Sequence, residues 1–365
     1  MSDTKKVFVG VSGGVDSSVA LALLKKQNYD VTGVFLKVWS PDFLECDWRE
    51  ERRSAMRVCA TLGVPFLTLD CEAEYKKEVV DYMIRGYSEG RVPNPDVFCN
   101  KYVKFGVFLK KALEMGADFV ATGHYATRYE YTNHANNTNG FELRESKDKE
   151  KDQSYFLHTL NQEQLSRSLF PIGGYTKPEV REMARKFGLP TAEKKDSQGL
   201  CFIGKIDIKD FLSHYIKTEK GNVLNVQSEI IGEHPGALFF AIGQRHGFTI
   251  TKKNSDDSRY FVISKSMKEN TITVANKEKE NVEVYTTKEI FLRSIHFISS
   301  KVTEFPLKTE VRIRYRQNKQ DCMIQEESGG YRIYFKNPQE GVSIGQSAVF
   351  YDGEVCLGGG IIENY

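Results

Sequence analysis

Ser12-Gly13-Gly14-Val15-Asp16-Ser17-Ser18 follows the apolar run Val7-Phe8-Val9-Gly10-Val11 and leads into Val19-Ala20-Leu21-Ala22-Leu23-Leu24-Lys25-Lys26. The run is short and β-rich and reads as a buried strand. The segment after the loop has helix formers at helical apolar spacing. Glycines and serines lie between the two, where backbone amides can converge on an anion. The helix N-terminus adds its partial positive charge at the same place. No Gly-Lys-Ser/Thr follows, so this is not the P-loop of kinases and GTPases. No Gly-x-Gly-x-x-Gly is present, so the dinucleotide fingerprint is absent too.

Working outward, the first half of the chain alternates strands and helices. Strands are expected at Val7–Val11, Val31–Val38, Phe66–Leu69 and Asp118–Thr122. A helix from Glu51 to Leu62 ends at Gly63, and one from Lys104 to Met115 ends at Gly116, both by the glycine stop signal. This alternation implies an α/β fold, a parallel sheet with helices on both faces. Ligands of such sheets bind at the carboxyl ends of the strands, where the first loop already points to a nucleotide.

Tyr131 to Gly140 reads as a polar, turn-rich loop. Thr176 to Phe187 reads as a helix with a Thr176/Glu179 capping box, Pro178 in its first turn and Gly188 at its end. Polar breaks follow at Lys217–Asn222 and Lys252–Ser258. From about Val282 the texture changes to short alternating strands with Gly/Asn turns, read as a small antiparallel barrel or sandwich. Val311, Ile313 and Tyr315 alternate there with Arg312, Arg314 and Arg316, which predicts a strand with an arginine face suited to phosphates. The expected division is 1–205, 206–281 and 282–365.

With 365 residues the chain can bury a sizeable core in two or three domains. The net charge is only +2, so no global basic field advertises nucleic acid and any RNA contact must be local. No apolar run approaches a bilayer-spanning length, and Met1 to Lys6 has no apolar signal core, so a cytoplasmic protein without a membrane partner is expected. The seven cysteines form no C-x-x-C pair, which argues for thiols rather than a disulfide framework.

Two cysteines stand out by context. Cys99 lies in Asn94-Pro95-Asp96-Val97-Phe98-Cys99-Asn100, and Cys201 in Lys195-Asp196-Ser197-Gln198-Gly199-Leu200-Cys201-Phe202. Both segments read as polar loops, where reactive groups tend to sit. One helical turn would put Asp96 and Cys99 on the same side, with Asp96 as a proton acceptor. A nearby carboxylate disfavours a thiolate, so activation would need cations, and Lys101, Lys104, Lys194 and Lys195 are the candidates. Cys59, Cys71, Cys322 and Cys356 read as small buried hydrophobes. Cys46 has no assigned role, and a zinc site from Cys46, Cys59 and Cys71 has the wrong spacings. Gly123 would allow close backbone approach to a base or ribose, and His124 either orients substrate or is a satisfied strand-end histidine. Lys151-Asp152-Gln153-Ser154-Tyr155 reads as a helix start.

The seven-residue glycine motif resembles the PP-loop of the ATP pyrophosphatases. The further series Asn94-Pro95-Asp96-x-x-Cys99-Asn100, Gly123-His124-Tyr125-Ala126, Lys151 to Phe156, Asp196-Ser197-x-Gly199-x-Cys201-Phe202-Ile203-Gly204, Ile242 to Arg245, Arg314 to Gln317 and Gly345-Gln346 is similar to that of the bacterial-type tRNA-specific 2-thiouridylases. The resemblance runs from about residue 5 to the C-terminus. It implies an adenine nucleotide α-hydrolase-like catalytic domain, a small central domain and a C-terminal β-barrel that binds tRNA. It also implies replacement of the 2-carbonyl oxygen of the wobble uridine by sulfur in tRNAs for Lys, Glu and Gln. Gly10, Val11, Ser12, Gly13, Gly14, Val15, Asp16, Ser17, Leu36 and Gly123 would hold ATP, with Mg²⁺ offsetting phosphate charge. Asn94, Pro95 and Asp96 would receive the target base. His124, Lys151, Asp152, Gln153, Arg314, Tyr315 and Gln346 match positions that touch tRNA. Cys201 would carry a persulfide delivered by a donor protein, Cys99 would form a transient disulfide with it, and Asp96 would be the acid/base group.

Three other readings stay open on the sequence. One is an iron–sulfur cluster on Cys99, Cys201 and Asp96, less favoured than the persulfide. Another is a PP-loop ligase or amidotransferase acting on a small molecule, which leaves the two loop cysteines unexplained. The last is a tRNA-binding or sulfur-carrier module, which would need no ATP loop.

Overall fold

The computed structural model describes residues 4–43, 48–133, 138–195, 208–251, 260–276, 286–299 and 304–364. Five strands form the N-terminal sheet in the order Phe66–Asp70, Asp30–Lys37, Lys6–Gly10, Phe119–Ala121 and Ser168–Leu169. Every pairing in it is parallel. Successive side chains of a strand point to opposite faces, and both faces are covered. Val7 and Val9 join a core with helices Val15–Lys26, Trp48–Leu62 and Lys177–Lys186. Phe8 joins a second core with Tyr75, Met83, Phe105 and Phe108. Cys59 and Cys71 fall in these two different cores, so the sheet separates two members of the rejected zinc set. Burial pushes both thiols up to about 11.

The strand order reverses direction at Lys6–Gly10. The chain first builds outward through Asp30–Lys37 and Phe66–Asp70, then crosses to Phe119–Ala121 on the other side. At such a switch point the loops after adjacent strands diverge and open a crevice. Those loops are residues 11–14 and 122–124.

A second sheet, ordered Thr249–Ile250, Ile230–His234, Gly221–Leu224, Thr271–Asn276 and Tyr260–Ser266, packs its own small core around Val223, Phe240, Val262 and Ile272. The C-terminal strands Thr287–Leu292, Gly330–Gln339, Gln320–Glu327, Leu307–Arg312, Ser347–Asp352 and Val355–Asn364 pair antiparallel in that order. Leu292↔Ile362 pairing closes them into a barrel, which settles the barrel-or-sandwich alternative.

Four local expectations are corrected. Most of Tyr131–Gly140 is not loop: Thr127–Asn133 and Thr138–Arg144 form a hairpin, with 134–137 outside the described residues. Phe141 and Leu143 share one face of the second strand and pack into the core, and Thr138–Arg144 gains a partner by pairing with barrel strand Val355–Asn364. The Cys99 segment is not loop either. Pro95–Phe98, Cys99–Phe108 and Leu109–Glu114 run on as one helix whose middle ten residues are π-helical. Asn94 caps it by accepting from Val97 N–H at 3.4 Å, with Pro95 in the first turn, a start signal in the sequence that the loop reading passed over. Lys151–Tyr155 begins only a short 3₁₀ turn, Ser154–Leu157.

The arginine face does not form. The strand ends at Arg312, and the Gln317 side chain accepts Ile313 N–H at 2.9 Å, turning the chain. Arg314 and Arg316 are exposed on that turn, whereas Arg312 is enclosed. Its guanidinium donates to Asp152 Oδ2 at 2.9 Å and to Glu145 Oε1 at 2.7 Å. The side chains of Arg312, Asp152 and Glu145 are 12%, 1% and 3% exposed. Glu145 also meets Lys149 and Lys319, but among the described residues Asp152 has only Arg312 as an ion-pair partner, so removing Arg312 leaves that buried carboxylate uncompensated. Arg312→Leu should therefore lower stability by about 3–5 kcal/mol, read as a lowered thermal midpoint, with Arg312→Lys recovering part of it. A midpoint unchanged in Arg312→Leu would contradict this account of the junction.

Candidate active site

Gly13 has φ +76°, and a Cβ there would lie 2.6 Å from Glu51 O and 2.9 Å from Ser54 Cβ. Only glycine permits both the left-handed turn and this approach to helix Trp48–Leu62. Ser54 Oγ donates to Gly13 O at 3.1 Å, tying the loop to that helix. Ser12 N–H donates to Ser17 Oγ at 3.2 Å, and Ser18 Oγ donates to Gly14 O at 2.7 Å. The loop is thus shaped by its own hydroxyls. Gly14 caps helix Val15–Lys26 without any side-chain hydrogen bond to the first-turn amides. A twelve-residue helix opening this way at a sheet switch point suits an anion.

Gly123 closes the other side. A Cβ on it would sit 2.5 Å from Ser17 N and 2.7 Å from Asp16 C. The close approach that the sequence suggested is thus made to the first turn of the loop's own helix. Leu36, near the end of strand Asp30–Lys37, is buried in the core beneath.

Asp16 is a carboxylate in the first turn of this helix, and the structure restrains it tightly. Lys177 Nζ lies 2.8 Å from each of its oxygens, and Tyr125 OH donates to Oδ1 at 2.9 Å. Lys194 Nζ donates to Gly13 O at 3.0 Å. The sequence reading gave Lys177 and Tyr125 no role and named Lys194 only as a possible neighbour of a thiol. Lys177 starts a helix that the sequence marks plainly, but nothing local shows a reach across 161 residues.

His124 is buried, and its Nδ1 lies 2.7 Å from Thr122 Oγ1 while Nε2 lies 3.4 Å from Lys104 Nζ. Burial first, and the Lys104 charge second, hold its pKa well below the ordinary histidine value, so the ring is neutral near pH 7. An ammonium facing Nε2 requires that nitrogen to accept, which leaves the proton on Nδ1 for Thr122. Lys104 belongs to the helix that carries Cys99, so this contact joins that helix to the mouth of the nucleotide crevice. Asp96 and Cys99 lie one turn apart on it, Cys99 fully buried and Asp96 partly so. Asn94 and Pro95 are partly buried at the helix start. Cys201 and its whole motif, and Cys46, lie outside the described residues.

The remaining expected contacts gather along the barrel seam. Gln153 accepts Tyr125 N–H at 3.0 Å through Oε1 and donates its own N–H to Tyr125 O at 2.7 Å. Asp152 is buried against Arg312, Ser146 N–H and Ser154, and burial raises its pKa. Lys151 is partly buried beside it. The Tyr315 ring packs against Phe156 with centroids 4.4 Å apart and planes tilted by 45°, and the Arg316 guanidinium lies over the Tyr315 ring. Gln346 Nε2 donates to Val92 O at 2.8 Å, and Val92 N–H donates to Ile344 O at 2.8 Å. The turn 344–346 of the barrel therefore docks on the residues just before Asn94-Pro95-Asp96. A separate cavity of about 440 Å³, lined by Phe141, Leu307, Thr309 and Cys356 among others, lies between the hairpin and the barrel, away from the glycine loop.

Residues 5–205 match the family described as tRNA methyl transferase HUP domain, 209–276 the tRNA methyl transferase PRC-barrel domain, and 287–362 the aminomethyltransferase beta-barrel domain. The tRNA-specific 2-thiouridylase MnmA of Pseudomonas paraeruginosa is 42% identical over 98% of this chain and 94% of its own. The protein of the same name from Stutzerimonas stutzeri is also 42% identical, over 98% and 94%. Among solved structures, the U34-tRNA thiolase NcsA from Methanococcus maripaludis with its 4Fe-4S cluster overlays 57% of this chain and 63% of that chain, at 16% identity and a TM-score of 0.36. That overlay is too distant to bear on cluster chemistry here. The near-full-length matches, on a chain that carries a glycine anion loop at its sheet switch point, show that it belongs to the tRNA-specific 2-thiouridylase family.

Proposed function

We propose that the chain thiolates tRNA, replacing the 2-carbonyl oxygen of the wobble uridine, position 34, with sulfur in tRNAs for Lys, Glu and Gln. ATP is consumed and AMP and pyrophosphate are released. The observation that carries this reading is the meeting at His124 of the glycine-loop crevice and the helix bearing Asp96 and Cys99. In this reading residues 1–205 are the catalytic unit, 206–281 a connector and 282–365 the tRNA-facing barrel. Among the described residues no helix is long and apolar enough to cross a membrane, and we take the enzyme to be cytoplasmic.

A uracil carbonyl oxygen is a very poor leaving group. Attack by that oxygen on the α-phosphorus of ATP forms an O–P bond, expels pyrophosphate and converts the oxygen into part of AMP. Gly10 to Ser17 would hold the triphosphate, with Gly123 and Leu36 on the nucleoside side. Bound Mg²⁺ would offset phosphate charge. Mg²⁺ bound with a nucleotide takes substrate phosphates together with one or two carboxylates, and Asp16 is the carboxylate at the loop.

Asn94-Pro95-Asp96 would receive the flipped base, with Asp96 taking or returning the uracil N–H proton. Cys201 would carry a persulfide loaded by a sulfur-donor protein. Its terminal sulfur attacks the activated carbon and AMP leaves with the original oxygen. The product is then joined to Cys201 through a sulfur–sulfur bond. Cys99 attacks the Cys201 sulfur, frees 2-thiouridine and leaves a Cys99–Cys201 disulfide, which an external dithiol reduces with two electrons, itself becoming a disulfide. An iron–sulfur cluster on Cys99, Cys201 and Asp96 is the alternative, less favoured reading of the same residues. Gln153, His124, Lys151, Asp152, Arg314, Tyr315 and Gln346 would order or contact the anticodon arm. The exposure of the Arg314–Arg316 turn supports a direct contact there, whereas the burial of Asp152 and His124 supports positioning.

Two variants test this. Cys201→Ser should bind ATP and tRNA but yield no 2-thiouridine in a nucleoside mass spectrum; thiolation surviving in it would refute the persulfide role. Gly123→Ala should weaken ATP binding by at least about tenfold, because its methyl must displace the Asp16–Ser17 backbone, while tRNA binding persists. Unchanged ATP affinity would remove the crevice from the account.

A further inference from the structure

Lys194 approaches the glycine loop from the segment that leads to Cys201. Its Nζ donates to Gly13 O at 3.0 Å, and its side chain is exposed. An ammonium has three N–H donors, and this carbonyl takes one. Among the described residues Lys194 forms no ion pair. Lys177, by contrast, is only 12% exposed and is neutralised by the Asp16 carboxylate. The backbone beneath Lys194 is fixed: Arg181 donates to Ala192 O at 2.7 Å and to Lys194 O at 3.0 Å. Among the described residues no carboxylate offsets this positive charge, which is held at the loop that would cradle phosphates.

We propose that Lys194 is the pyrophosphate-binding cation of this site, while Lys177 keeps Asp16 from repelling the incoming triphosphate. The inference rests on the adenylation reading above. When the bond between the α-phosphorus and its bridging oxygen breaks, the electron pair goes to that oxygen, and negative charge grows on the departing pyrophosphate. A prepositioned ammonium stabilises that charge through hydrogen bonds without giving up its proton. Gly13 O would be its resting partner, exchanged for phosphate oxygens when ATP binds.

The test uses full-length Lys194→Met and Lys194→Arg, both at an exposed position that leaves the fold intact by thermal midpoint. Inorganic pyrophosphate is the probe, followed by calorimetry on the protein alone and as a product inhibitor of tRNA-dependent AMP formation. Lys194→Met should weaken pyrophosphate binding by about tenfold or more and lower kcat for AMP formation by about 10²-fold, with tRNA affinity unchanged and Lys194→Arg largely restored. Wild-type pyrophosphate affinity in Lys194→Met overturns the proposal. So does a loss confined to tRNA affinity, which would make Lys194 an RNA contact. Wild-type enzyme that binds pyrophosphate but forms no AMP with tRNA would overturn the adenylation reading instead, and the calorimetry would still decide the role of Lys194.

Discussion

A carboxylate at the start of a phosphate-binding helix is an electrostatic liability unless something neutralises it, and much of the active-site architecture follows from how Asp16 is held. Lys177 and Tyr125 share its two oxygens. Tyr125 is in turn locked to Gln153 by a reciprocal pair of hydrogen bonds. The neighbour of Gln153, Asp152, carries the buried ion pair to Arg312 of the barrel. Lys177 is also anchored through its own N–H to Asp148 Oδ2 at 2.8 Å, at the head of the same segment. A continuous set of contacts therefore runs from the nucleotide loop to the barrel. The residues along it that we propose as tRNA contacts are placed by groups that also shape the glycine loop.

The fold was legible where local chemistry decides it. The first strand, the glycine turn and the following helix are written in consecutive residues, and the Thr176/Glu179 box marks its helix: Thr176 N–H donates to Glu179 at 2.6 Å. Where pairing across distant segments decides, the sequence misled. Thr127–Arg144 carries turn-like polar residues yet forms strands, which pair with each other as a hairpin and are docked at Leu143 and Arg144 on a strand more than 200 residues away. Val311 to Arg316 alternates perfectly, yet the strand stops at Arg312, where the Gln317 side chain draws the chain into a turn.

The site shows the same contrast. Glycines, Cys99 and Asp96 could be picked out by motif, because the roles proposed for them need particular residue types at particular spacings. Lys177 and Lys194 could not, since lysine at a helix start or after a helix is ordinary until the fold brings it to the loop. His124 was balanced between an orienting and a structural role from sequence; its enclosure between Thr122 and Lys104 makes it a neutral linker between the nucleotide crevice and the Cys99 helix.

The central chemical claim is that uridine oxygen is activated by transfer to AMP before sulfur arrives. It can be followed atom by atom. A tRNA substrate carrying ¹⁸O at the 2-carbonyl of the wobble uridine, thiolated in ordinary water with ATP and a persulfide source, should deliver the label to the phosphate of the AMP product in step with 2-thiouridine formation. Label found in water, with unlabelled AMP, would contradict the account.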